Sequence, residues 1–173
     1  MTLTELANKY GSDKGDKHFE AHGYTKVYEE WFAPLHDKII NILEIGVVDP
    51  SFPGASLQMW YEYFPSASIV GADIVPCPQF DNDRIKTVVM DQGSTGQIIA
   101  VAEAHGPFDI IIDDGSHNAH HQLRCFLNLY DYLTTRGQYW IEDCHVAPFT
   151  EMLLTMKHGT KTFCNDKLIL IGA

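Results

Sequence analysis

An α/β fold with a seven-stranded, mostly parallel sheet, helices on both faces and a C-terminal antiparallel hairpin is predicted by three observations. Apolar strand-like runs alternate with amphipathic helical stretches from residue 39 to residue 143, the signature of a layered parallel sheet. One of those runs, Ile110-Ile111-Ile112, is continuously β-branched and stops abruptly at Asp113 and Asp114, as a strand buried on both faces would. The chain closes with two short apolar runs, 161–164 and 167–171, around an Asn165-Asp166 turn, which reads as a hairpin at one sheet edge.

Each element has a local reason. Residues 2–9 form a short helix capped by Thr2 or Thr4, with Leu3, Leu6 and Ala7 on one face. Residues 10–23 (YGSDKGDKHFEAHG) are polar, glycine-rich and irregular, a loop long enough to suggest a function. From Tyr24 to Leu35, Val27, Tyr28, Trp31 and Phe32 recur at helical spacing until Pro34 ends the helix. Strands follow at 39–48, 68–74, 85–90, 108–113 and 138–143. Helices are expected at 56–63 behind a Ser56 cap, then at 96–105, 119–133 and 148–157. At 173 residues the chain is one domain, an N-terminal helical and loop segment (1–38) joined to a core (39–173).

Composition narrows the function classes. The content of 45% hydrophobic and 20% charged residues is that of a soluble globular protein. A net charge of −11 argues against binding a phosphate backbone, which needs clustered cations, so no nucleic-acid partner is expected. Cys77, Cys125, Cys144 and Cys164 lack zinc-type spacing and read as reduced thiols of a cytoplasmic protein. The first residues lack the basic-then-apolar pattern of a signal peptide. No apolar run reaches the ~18 residues of a membrane span.

The chemistry concentrates where strands end, because ligands of parallel sheets bind beyond the carboxyl edge. The first strand ends in Leu43-Glu44-Ile45-Gly46 before a loop to a helix, an arrangement that admits a nucleotide-like ligand; packing of a tight turn is the competing use of Gly46. The next glycine is Gly54, so the GxGxxG spacing of dinucleotide sites is absent. Asp73 ends the second strand, where a carboxylate can accept both hydroxyls of a ribose. Asp91-Gln92 ends the third, suited to an adenine edge or to capping a turn. The fourth and fifth strands end in Asp113-Asp114 and Glu142-Asp143. Four carboxylates converging on one sheet edge repel unless a hard divalent cation sits among them, and oxygen-only ligands favour Mg²⁺, Ca²⁺ or Mn²⁺. His117, three residues past Asp114, is placed to act as a base near neutral pH. His120, His121 and His145 are read as surface or supporting histidines.

The motifs NKYGSDKG, HGYTKVYEEWFAPL, ILEIGV, GASLQMWYEYFP, IVGADI, MDQGS, FDIIIDDGSH and YWIEDC together resemble the class I S-adenosylmethionine-dependent methyltransferases, with their Rossmann-like fold. The sequence is similar in particular to the Mg²⁺-dependent sugar O-methyltransferases of macrolide biosynthesis, of the demethylmacrocin and mycinamicin type. Cephalosporin hydroxylase-like proteins share the same core. The resemblance implies S-adenosylmethionine and Mg²⁺ as cofactors and a small hydroxylated acceptor, such as a sugar or glycosylated natural product. It implies Asp114, Glu142 and Asp143 as metal ligands and His117 as the base. It implies cofactor contacts at Glu44, Gly46, Ser56, Asp73, Asp91 and Gln92, with Asp113 at the strand end or on the cofactor side. Lys14 and Tyr24, from a segment 1–38 covering the cofactor site, would help close over it. The macrolide enzymes carry further helical material, so an acceptor lid is expected to be missing or supplied by a second copy of the chain. The stretch CHVAPFTEMLL also departs from the aromatic and Ser/Thr-rich run such enzymes carry there. Two other readings compete: an S-adenosylmethionine-binding module without methyl transfer, and a hydroxylase-like protein on the same scaffold.

Overall fold

The computed structural model describes residues 1–49, 51–144, 161–164 and 167–172. The helix expected at 148–157, the Asn165-Asp166 turn and His145 lie outside the described residues. Seven strands, β1 (Asn41–Ile45), β2 (Ser68–Asp73), β3 (Ile85–Val89), β4 (Phe108–Asp113), β5 (Leu133–Ile141), β6 (Lys161–Phe163) and β7 (Leu168–Ile171), form one sheet in the order β3-β2-β1-β4-β5-β7-β6. Strands β1 to β5 pair in parallel, and β7 joins β5 and β6 antiparallel, so the expected sheet and closing hairpin are both present.

The order reverses direction between β1 and β4, which opens a crevice at their carboxyl ends. From Ile110 onward the side chains of β4 alternate between two apolar layers, and Phe108, across the register shift, falls with Ile111. Ile110 and Ile112 join Leu3, Tyr28, Phe32, Trp60 and Trp140 on one face, while Phe108 and Ile111 join Ile98, Cys125, Phe126 and Tyr139 on the other. Burial on both faces is why these strands read as unbroken apolar runs.

Among the described residues, five α-helices flank the sheet. α1 (Leu3–Tyr10) starts with a reciprocal capping box, in which the Glu5 amide donates to Thr2 Oγ1 and the Thr2 amide donates to the Glu5 carboxylate. α2 (Thr25–Phe32) passes into a 3₁₀ turn at Ala33–Leu35, because Pro34 has no amide to continue the ladder. α1, α2 and the N-cap residue of α2 supply Leu3, Leu6, Tyr24, Tyr28 and Phe32 to the same core as the sheet.

Local details differ from the pattern reading, each for a physical reason. β1 is shorter than 39–48: Ile39 is 91% exposed, and Gly46 turns out of the strand at φ 86°. α3 (Ala55–Tyr63) is not capped by Ser56; its N-cap is Gly54 at φ 74°, and Ser56 lies inside the helix. α4 (Thr95–His105) is capped by Ser94. α5 (Ala119–Leu129) ends four residues early, and a 3₁₀ turn leads into β5. The regular register of β5 against β4 nevertheless starts at Gln138, because the pairing shifts between Phe108 and Ile110. None of the described helices is long and apolar enough to cross a membrane.

Candidate functional site

A cavity of about 490 Å³ lies at the carboxyl ends of β1 to β4, within the size range of small-molecule sites. Its wall includes Gly46, Ser56, Asp73, Asp91, Gln92, Asp114 and His117, with Lys14 and His18 from the glycine-rich loop before α2.

Gly46 has no alternative at its position. A Cβ there would meet the Asp114 carbonyl at 2.1 Å, and its amide is already donated to Ala72 O at 2.8 Å. The glycine therefore lets the β4 loop cross directly over β1. Asp73 collects three amides from the surrounding loops: Val47 and Val48 donate to Oδ2 at 2.9 and 3.0 Å, and Val75 donates to Oδ1 at 2.9 Å. With about four lone-pair sites on a carboxylate, one position on Oδ1 remains for a ligand hydroxyl, rather than two for a ribose pair. Asp91 turns toward its own loop, accepting from the Gly93 amide at 2.7 Å.

Gln92 lines the cavity, but both ends of its amide are engaged elsewhere. Nε2 donates to Asp113 Oδ1 at 2.6 Å, and Oε1 accepts from the Ser116 amide at 2.7 Å. Its polar atoms are thus turned to the β4 loop rather than to an adenine edge. Asp113 takes the first of its two expected places, the strand end: it is fully buried, accepts also from Tyr139 at 3.2 Å, and does not line the cavity. Burial pushes its carboxyl up to about 7 against those two hydrogen bonds. Asp113 secures the strand end; Asp114 faces the cavity.

Beside the cavity, one ligand atom each from Asp114, His117 and Asp143 lies within 4.8 Å of the others. His117 Nε2 is 3.2 Å from Asp114 Oδ1 and 3.8 Å from Asp143 Oδ2. Both His117 (φ 54°) and Asp143 (φ 49°) sit in left-handed backbone, a cost that clusters at functional sites. The hydrogen bond to Asp114 holds the His117 imidazolium above its ordinary pKa, against partial burial.

Lys14 reaches this cluster from the loop. Its ammonium donates to Asp114 and, at 3.1 Å, to Glu142 Oε2, and stands 3.6 Å from Glu44 Oε1. Burial works against the charge, but Asp114, Glu142 and Glu44 outweigh it and hold the ammonium well above its ordinary pKa. Burial and the nearby Asp114 push Glu142 up, whereas Lys14 and His117 overcome burial to hold Asp114 down. Asp114 is the better anion of the two because it has both cationic partners.

Glu142 is buried behind the cavity wall, with Oε1 accepting from Tyr28 at 2.6 Å and its carbonyl accepting from Gln122 Nε2 at 2.9 Å. Glu44 is also off the wall. Ser56 donates to its Oε2 at 2.8 Å, and burial pushes it up to about 7. Tyr24 is displaced from its expected cofactor contact: its buried hydroxyl donates to Asp143 Oδ1 at 2.7 Å, and His22 stacks on its ring. His121, read as a surface or supporting histidine, has Nδ1 2.9 Å from Ser116 Oγ, whereas Tyr28 and Gln122 were missed by sequence reasoning. Tyr28 had a usable signal, since a buried phenol needs a polar partner.

The donor set is two aspartate carboxylates, an imidazole and an adjacent glutamate, with an ammonium already standing among the oxygens. Such a set suits a hard cation.

No protein-family model matches the chain. It is 42% identical over 148 residues to an 8-demethyl-8-(2-methoxy-alpha-L-rhamnosyl)-tetracenomycin-C 3'-O-methyltransferase of Streptomyces olivaceus, covering 84% of this chain and 37% of that protein. It is 36% identical over 148 residues to the mycinamicin VI 2''-O-methyltransferase of Micromonospora griseorubida, covering 84% of this chain and 36% of that protein. Its structure superposes on the MycE methyltransferase from the mycinamycin biosynthetic pathway, in complex with Mg, SAH and mycinamycin VI. The TM-score is 0.87 at 27% identity, over 99% of this chain and 54% of that one. The chain thus spans little more than a third of the length of the curated relatives it matches. Over the part that it matches, the chain is similar in sequence to these O-methyltransferases and has the fold of the MycE methyltransferase.

Proposed function

We propose that the chain is the cofactor- and metal-binding core of an S-adenosylmethionine- and Mg²⁺-dependent O-methyltransferase acting on a sugar hydroxyl of a small glycosylated molecule. The observation that carries this reading is the meeting of Asp114, His117 and Asp143 at the edge of the cavity behind Gly46 and Asp73. Asp114 and Asp143, with Glu142 beside them, would hold the cation. When bound, S-adenosylmethionine supplies the methyl group and the cation makes a chelated hydroxyl more acidic.

The protein's own residues do the rest. His117 Nε2, exposed toward the cavity, takes the hydroxyl proton. Asp73 accepts one ribose hydroxyl, and Gly46 and Ser56 form the wall along the cofactor. Tyr24, His22 and Tyr28 orient Asp143 and Glu142. Residues 1–38 cover the site, and their loop limits water around the reacting atoms. Most of the acceleration would come from holding both reactants in attack geometry. A second copy of the chain would complete the acceptor side. The four cysteines, all free thiols, suit a cytoplasmic enzyme.

A metal-free binding module is favoured by one observation: the Lys14 ammonium already neutralises part of the carboxylate cluster. Calorimetry of S-adenosylmethionine with and without Mg²⁺, with Asp114→Ala as control, separates the readings. Absence of cofactor binding sinks both. Cofactor binding with no metal site leaves the module. Methyl transfer to glycosides with vicinal hydroxyls supports the enzyme.

A further inference from the structure

Lys14 is 1% exposed, although ammonium groups are seldom buried unless paired. It is held in place at the backbone, where its carbonyl accepts from the Thr25 amide at 3.0 Å and its amide donates to Ser12 Oγ at 3.4 Å. Its ammonium is bonded to Asp114 and Glu142 but stands 3.6 Å from Glu44 Oε1, beyond hydrogen-bond length. That oxygen is fully buried and has no hydrogen-bond partner among the described residues; Trp60 Nε1 lies beside the carboxylate without a well-aligned bond to it. A buried acceptor left unmade next to a buried donor marks a second seat for the donor.

Resting on the functional reading above, we propose that Lys14 is a positioning residue coupling divalent-cation binding at Asp114 and Glu142 to cofactor binding in the cavity, by moving its ammonium from those carboxylates to Glu44 Oε1. A divalent cation held by Asp114 beside Glu142 competes with the ammonium for the charge of these carboxylates and repels it at close range. The lysine is buried, and Glu44 Oε1 is an acceptor without a hydrogen bond 3.6 Å from its ammonium. Glu44 stands two residues before Gly46 and grips Ser56, and both of those line the cavity with Lys14. Metal and cofactor therefore strengthen each other's binding, and by linkage the two factors are equal.

The test is titration calorimetry with S-adenosylhomocysteine, with and without Mg²⁺, on the wild type, Lys14→Met and Glu44→Gln, with Mn²⁺ followed by electron paramagnetic resonance for the reverse direction. The wild type is expected to bind S-adenosylhomocysteine about tenfold more tightly with Mg²⁺, and Mn²⁺ about tenfold more tightly with S-adenosylhomocysteine. Both variants are expected to lose the coupling to within about twofold while still binding Mn²⁺. A lysine with only a structural role would lower thermal stability and leave the coupling factor intact. If Lys14→Met does not fold, the isosteric Glu44→Gln decides. Independent binding in the wild type, or full coupling retained in either folded variant, overturns the inference alone. A wild type that binds no S-adenosylhomocysteine overturns the functional reading, and this inference falls with it.

Discussion

The carbonyl of Asp114 passes 2.1 Å from the point where a Cβ on Gly46 would stand, so the end of β1 and the loop after β4 are packed backbone to backbone. This contact sets where Asp114 and His117 stand relative to the cofactor wall. Gly46→Ala has to relieve both the clash and the left-handed backbone at φ 86°. The variant is expected to lose at least about 3 kcal/mol, or roughly 10 °C in Tm. A melting temperature within about 2 °C of wild type would show that the loop yields easily.

His117 meets Asp114 and Asp143 and lines the same cavity as Gly46 and Asp73, at its carboxylate-rich edge. His117→Ala is expected to cost ~10²–10⁴ in methyl-transfer rate. S-adenosylhomocysteine affinity should stay within about threefold, as for a group acting on the acceptor. Weakened cofactor binding of the same size as the rate loss would remove His117 from the role of base.

Tyr28 touches Glu142 through its hydroxyl at 2.6 Å and otherwise packs as an aromatic ring, stacked on Phe32 at 4.9 Å and edge-on to Trp140 at 4.9 Å. Tyr28→Phe keeps the rings and leaves Glu142 Oε1 without this donor. Chemical denaturation should show a loss of about 1–3 kcal/mol. An unchanged midpoint would mean that Glu142 finds another partner.

Asp81 gives a pH signature away from the site. Burial works against its charge, but Lys86 and the hydroxyl and amide of Thr87 outweigh it and hold the carboxyl down at about 2. Because the folded value lies below the unfolded one, the contribution is complete above about pH 4. It is lost as pH falls toward 2. With solvent screening it is worth about 1 kcal/mol. Asp81→Asn should therefore lower stability at neutral pH and converge with wild type near pH 2, measured by denaturant unfolding. Parallel curves at every pH would exclude a linked proton.

Much of this architecture was legible because it rests on local pattern. Burial on both faces forces unbroken apolar strands, helical faces repeat at their own period, and Thr2 caps where its side chain reaches back to an amide. The meeting of Asp114 with Asp143 was legible too, because parallel pairing of β4 with β5 places consecutive strand ends side by side. Boundaries were less so. Leu133 carries an apolar signal that fits a helix end or a strand start equally, and its pairing with Phe108 decided for the strand.

By itself, the sequence determined the sheet, its closing hairpin, the placement of the acidic residues at one edge and the need for glycine near Gly46. Only the tertiary structure decided what each carboxylate does. Asp113 was drawn into a buried bridge with Gln92 and Tyr139, and Glu142 was tied to Lys14 across 128 residues of chain. Tyr24 was turned to Asp143 across 119 residues. The physical reason is that a carboxylate has the same local signal whether it faces a metal, a ligand, an ammonium or a phenol. Its partner is chosen by packing between segments far apart in sequence, and that choice also sets its charge.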